Sequence, residues 1–140
     1  MKKFMYITAL LVIMSATYAC KQNSDGRPAS QKKEVRDASI EEFEQLLADT
    51  AGVVLIDVRT QQEYDEAHLK GAILIDVKDK QFRDKCISRL PAGKTIAIYC
   101  RSGFRSKTAA EILSEAGFEV INLKAGIVGW AEAGKETTKE

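Results

Sequence analysis

Apolar positions along the chain follow two alternating patterns. Near-continuous apolar runs rich in β-branched residues occur at "GVVLIDVR" (52–59), "GAILI" (71–75), "KTIAIYC" (94–100) and "FEVINL" (118–123). Runs of this length and type predict strands buried on both faces. Between them, apolar residues recur three and four apart, which stacks them on one side of a helix. Ile40, Phe43, Leu46 and Leu47 form such a stripe, opened by Ser39 with Glu42 three residues on, the pattern of a capping box. Thr60 and Glu63 repeat that box before a short helix over 61–66. Phe82, Cys86 and Leu90 mark a helix over 80–90, ended by "PAG". Ala109, Ile112, Leu113 and Ala116 mark another over 107–116, stopped by Gly117. "GIVGWAEAG" closes the pattern with a turn and a short helix.

Strands alternating with helices predict an α/β fold. The expected architecture is three-layered, a central parallel sheet of about five strands with right-handed crossovers and helices on both faces. Ligands in such sheets bind at the carboxyl ends of the strands. Cys100 ends one predicted strand, so the loop "CRSGFRS" stands at that edge.

The first twenty residues depart from the pattern. "MKKFMYITALLVIMSATYAC" has two lysines, an apolar stretch from Phe4 to about Met14, then small residues. This is the layout of a secretory signal, and the apolar run is short for a membrane span. Cleavage after Ala19 would leave 140 − 19 = 121 residues beginning at Cys20. The arrangement resembles a bacterial lipobox, in which that cysteine is lipidated, although Thr17 and Tyr18 replace the usual leucine and small residue. The alternative is ordinary cleavage that leaves a free thiol. The chain is therefore expected to be exported to the periplasmic side and held on a membrane through lipid at Cys20, with more than one acyl chain needed for stable anchoring. Residues 20–38, polar with Gly26 and Pro28, read as a flexible tether; 39–134 read as the folded domain and 135–140 as a polar tail.

Composition narrows the partners. A chain of 140 residues suits one domain, and 45% apolar with 29% charged residues suits a packed core. The formal net charge is +1 with no basic stripe, which argues against nucleic acid as a partner.

The chemistry concentrates at Cys100. A free thiol has a pKa of about 8.5, and only the thiolate attacks. Arg101 and Arg105 bring local positive charge. A tight loop can turn its amides inward as an anion nest, and the amino end of a helix starting near Arg105 or Ser106 adds to it. Gly103 allows positive φ without strain. Set against a nucleophile is a plain buried cysteine closing a strand; the polar residues after Cys100 favour the nucleophile.

Three ordered motifs resemble those of single-domain rhodaneses, a sulfurtransferase family. "CRSGFRS" is similar to the active-site loop Cys-Arg-x-Gly-x-Arg-Ser. "LIDVRTQQEYDEAHLKGAILI" is similar to the family's Asp-Val-Arg, Glu-Tyr/Phe and His-Ile-x-Gly-Ala segment, with Leu69 in place of isoleucine. "NLKAGIVGW" is similar to the terminal Leu-x-Gly-Gly segment before tryptophan, with Ala125 in place of the first glycine. The resemblance spans roughly 40–133. It implies a rhodanese-like fold, a Cys100 persulfide formed from thiosulfate or a related small anionic sulfane donor, and discharge to a thiol or cyanide acceptor. It implies that Arg101, Ser102, Gly103, Phe104, Arg105 and Ser106 cradle the persulfide, that Arg101 and Arg105 orient the donor, and that no metal or organic cofactor is needed.

Two rivals use the same cysteine. Cys-dependent phosphatases and arsenate reductases want five residues between cysteine and arginine, whereas four separate Cys100 from Arg105. A non-turnover persulfide carrier would keep Cys100 and dock to a partner protein. Other residues carry weaker signals. Asp57 and Arg59 end a strand at the same sheet edge; Asp57 reads as a partner for amides or an arginine, and Arg59 as pocket lining or surface. His68 reads as structural, Phe104 as shaping the pocket mouth, Trp130 as a core anchor. Cys86 reads as core, a disulfide with Cys100 requiring Cα atoms within about 7 Å.

Overall fold

The strand and helix signals become ten elements in the computed structural model, which describes residues 31–139: β1 Val35–Ala38, α1 Ile40–Leu47, β2 Val53–Asp57, α2 Gln61–Glu66, β3 Ile73–Leu74, α3 Phe82–Arg89, β4 Thr95–Tyr99, α4 Phe104–Glu115, β5 Glu119–Leu123 and α5 Gly126–Glu132. The expected signal segment, Cys20 and the expected tether up to residue 30 lie outside the described residues. Both capping boxes form. Ser39 accepts from the Glu42 amide and Thr60 from the Glu63 amide, while each glutamate side chain returns a bond to its cap backbone.

The five strands are parallel in the order β1-β5-β4-β2-β3. Successive side chains of β4 point to opposite faces. Ile96 and Ile98 join Ile56, Phe82, Ala109 and Leu113 under α3 and α4. Ala97 and Tyr99 join Phe43, Leu123, Ile127 and Trp130 under α1 and α5. Phe43 and Trp130 meet edge to face with centroids 6.3 Å apart. The expected three-layer α/β sheet is therefore the observed one.

The sequence reading fails at four boundaries. Residues 35–38 belong to the sheet and not to a tether. β1 pairs with β5, Val35 opposite Val120 and Ala38 opposite Leu123. As an edge strand it buries only Ala38 fully, too few apolar positions for a period to emerge. β3 is shorter than 71–75, because its one strand partner is β2. α4 begins at Phe104, three residues before the span 107–116 read from its apolar stripe and one before the earliest start read from the loop. The polar tail is tied down as far as Thr138. Its amide and carbonyl bond His68 at 2.7 and 2.8 Å, and the Trp130 indole donates to the Glu136 carbonyl at 3.0 Å.

Connections leave β2 toward β3 and leave β4 toward β5 on the other side. The carboxyl end between β2 and β4 is thus a switch point, where open α/β sheets place their ligands. Asp57 lies opposite Tyr99 on one flank of β4, and Asn122 opposite Ile98 on the other. No helix among the described residues is long and apolar enough to cross a membrane.

Candidate active site

Cys100 follows the last residue of β4 and is buried, 1% exposed. The chain then rises through Arg101 and Ser102 to Gly103, at φ +86°, and enters α4. Helix α4 has no side-chain cap hydrogen bond at its amino end. The first amides of any helix need acceptors, and the cysteine sulfur takes the third of them, that of Ser106. It receives hydrogen bonds from the amides of Ser106, Ser102 and Gly103, and the Ser106 hydroxyl reaches it at 3.3 Å. For that Ser106 amide the sulfur does what a capping serine or aspartate does elsewhere.

The loop is braced from behind by α5. The amides of Ile127 and Val128 donate to the carbonyls of Cys100 and Arg101 at 2.9 and 3.2 Å. With those carbonyls turned toward α5, the amides further along face the sulfur. Gly126, at φ +63°, lies so close to Arg101 and Ser102 that a Cβ there has no room. Ala125, the departure from the family pattern, has φ −78° and needs no glycine.

Burial pushes the Cys100 thiol up. The Ser106 hydroxyl and the amides of Ser106, Ser102 and Gly103 outweigh it, so the thiol sits below its ordinary value. Among the groups that favour the thiolate, these hydrogen bonds lead. Cys86 is the contrast: buried in the same apolar cluster with no such donors, it is pushed up to about 12. Both cysteines are free thiols. Because thiolate accumulates as pH rises through the thiol pKa, Ser106→Ala is expected to move the reactivity midpoint of Cys100 to higher pH. Alkylation rate against pH, read by mass on the Cys100 peptide, checks this; an unmoved midpoint would remove the hydroxyl from thiolate stabilisation.

Arg105 is committed elsewhere. Its two terminal nitrogens donate to the two oxygens of Glu63 at 2.8 and 2.6 Å, a forked pair across 42 residues of sequence. The same carboxylate accepts from the Thr60 amide and hydroxyl. Arg105 first, then Thr60, hold it down to about 2 despite an opposing push from burial. Glu63 was legible in the sequence only as a helix cap; its second role depends on tertiary contact.

Asp57 and Arg59 form a buried pair, with side chains 0% and 6% exposed. Arg59 donates through Nε and Nη2 to Asp57, and through Nη2 to the Ala67 carbonyl at 2.7 Å. Arg59 is therefore not solvated surface. It sits 5.6 Å from the Tyr99 ring centre and borders a groove of about 200 Å³ with Glu63, Glu66, Ile127 and Val128. Tyr99, whose hydroxyl accepts from the Leu69 amide at 3.0 Å, is pushed up by burial and then by Asp57. His68 stacks on Tyr64 at 3.6 Å, its Nδ1 2.9 Å from the Tyr64 carbonyl oxygen. Asn122, which sequence reasoning missed, donates to Asp37 at 2.9 Å and to the Gly103 carbonyl at 3.4 Å. Around the mouth, Arg101, Ser102 and Phe104 are exposed.

Residues 39–133 match the family model described as "Rhodanese-like domain". A sulfurtransferase of Allochromatium vinosum is 36% identical over 101 residues, covering 71% of this chain and 92% of its own length. The thiosulfate sulfurtransferase PspE of Escherichia coli is 34% identical over 73 residues, covering 51% of this chain and 68% of its own. Among solved structures, a rhodanese-related protein of Thermoplasma volcanium is similar with a TM-score of 0.65 at 27% identity, covering 75% of this chain and 99% of that one.

Proposed function

The chain belongs to the rhodanese-like sulfurtransferase family, and on that premise we propose that it moves sulfane sulfur from thiosulfate or a related donor to a thiophilic acceptor through a persulfide on Cys100. The observation that carries this reading is the buried sulfur of Cys100 accepting from the Ser106 hydroxyl and from the amides of Ser106, Ser102 and Gly103. A nucleophile whose thiolate is favoured by fixed donors needs no general base. Its thiolate attacks the outer sulfur of thiosulfate. The sulfur–sulfur bond breaks, sulfite leaves with the electron pair, and a Cys100 persulfide remains. Cyanide or a thiolate then attacks the outer sulfur and returns Cys100 as thiolate. The loop amides stabilise the charge that develops on sulfur, and Arg101, exposed and without an ion pair among the described residues, orients the anion.

Incubation with thiosulfate should release sulfite and leave Cys100 one sulfur atom heavier, and cyanide should then discharge it as thiocyanate. Persulfide that forms once and never discharges would favour a carrier. Hydrolysis of aryl phosphates without thiocyanate formation would favour a phosphatase.

The lysines, apolar run and small residues before Cys20 support a second part of the reading, an exported protein lipidated at that cysteine. Expressed in full in a bacterium, it should appear in the membrane fraction with an acyl-bearing Cys20, and Cys20→Ala should release it. Membrane association unchanged in that variant would sink the anchor.

A further inference from the structure

We propose that Glu63 sets the donor class of this site: by closing the fork of Arg105 it disfavours the thiosulfate dianion and favours an organic persulfide, at most singly charged at the transferred sulfur. The inference rests on the sulfur-transfer reading above. It starts from charge. Of the arginines gathered at the carboxyl edge, Arg59 is paired with Asp57 and Arg105 with Glu63. Asp76 adds a weaker electrostatic attraction to Arg105, without an ion pair. Arg101 is left as the loop's unpaired cation among the described residues. Two fixed positive charges would suit a dianion; one suits a monoanion. The Glu63 carboxylate is also fixed by the fold, because Thr60 holds it as part of the cap of α2. It does not swing away to free Arg105 at the cost of a rotamer alone.

A separate observation points the same way. The large apolar side chains exposed among the described residues are Phe104 at 85% and Val128 at 39%. Both border the loop: Phe104 is part of it, and the Val128 amide donates to the Arg101 carbonyl. An apolar rim offers contact to the carbon substituent of an organic persulfide and nothing to the oxygens of thiosulfate. In the transfer, the Cys100 thiolate attacks the outer sulfur of R–S–SH. The sulfur–sulfur bond breaks, the organic thiolate leaves with the electron pair, and the proton of the transferred sulfur passes to solvent.

The test compares kcat/KM for thiosulfate and for 2-hydroxyethyl persulfide, with cyanide as acceptor, on the full chain. The wild type should favour the persulfide. Glu63→Gln keeps a side-chain acceptor for Thr60 but removes the charge, and should raise the thiosulfate-to-persulfide ratio about fivefold, a gain that shrinks as salt rises. Arg105→Gln leaves the Glu63 carboxylate unpaired and should lower the ratio. A wild type that favours thiosulfate, or variants that both move the ratio the same way or leave it fixed, would overturn the inference while sulfur transfer stands. A wild type that turns over neither donor overturns the transfer reading and this inference together.

Discussion

A Cys100→Ser variant is expected to release sulfite from thiosulfate no faster than buffer does and to gain no sulfur mass, a loss of at least about 10³-fold. Serine preserves shape but not chemistry. Its hydroxyl stays protonated at neutral pH, and oxygen does not form the sulfur–sulfur bond on which the intermediate depends. The fold should survive, because a serine oxygen in the same position still accepts from the Ser106 amide in the first turn of α4. Circular dichroism and thermal unfolding close to wild type would confirm that the comparison is fair. Sulfite release at the wild-type rate in this variant would remove Cys100 from the mechanism.

The second large effect is expected far from the sulfur in contact but close in consequence. Gly126→Ala places a methyl group 2.5 Å from the Arg101 carbonyl carbon and 2.6 Å from the Ser102 nitrogen, at a backbone φ of +63°. The left-handed conformation alone costs a non-glycine residue about 1–2 kcal/mol. The overlap adds to it, since both neighbours are backbone and cannot rotate aside. A total loss of about 2–4 kcal/mol in denaturant unfolding is expected. The fraction that remains folded should transfer sulfur at least about tenfold more slowly, because the loop moves off the bonds from Ile127 and Val128 that aim its amides. Ala125→Gly is the control, a neighbour at φ −78° whose replacement touches none of those bonds. Normal transfer by folded Gly126→Ala would show that α5 does not brace the loop.

Much of this was legible in the sequence where the cause is local. The capping boxes at Ser39 and Thr60 are three-residue patterns and form as written. The apolar runs become β2, β4 and β5 because a doubly covered strand needs nothing but apolar residues. Cys100 reaches the sheet edge because its strand ends there. What the sequence concealed is non-local. β1 has too few buried positions to announce itself, and its place depends on β5. The pairing of Arg105 with Glu63 joins residues 42 apart, and each already had a sufficient local explanation, one in the loop and one in the cap. The start of α4 was legible to within a residue or two from the loop, but not from its apolar stripe. Its capping acceptor is a sulfur three residues before the cap position, outside the list of usual capping side chains.

The strand order has a consequence for how the molecule comes into being. β1 is made first of the five strands, yet its partner is β5, with Val35 opposite Val120. Closing so long a stretch of chain is entropically expensive, and such late pairings slow folding. The sheet therefore cannot be completed until residues near 123 have been synthesised. The same late step reaches the nucleophile, since Asn122 of β5 links Asp37 of β1 to the Gly103 carbonyl, and the α5 amides that brace the loop come later still. Without those elements Cys100 lacks the braced donors that favour its thiolate in the folded chain. The environment that favours the thiolate is thus completed by the segments farthest along the chain.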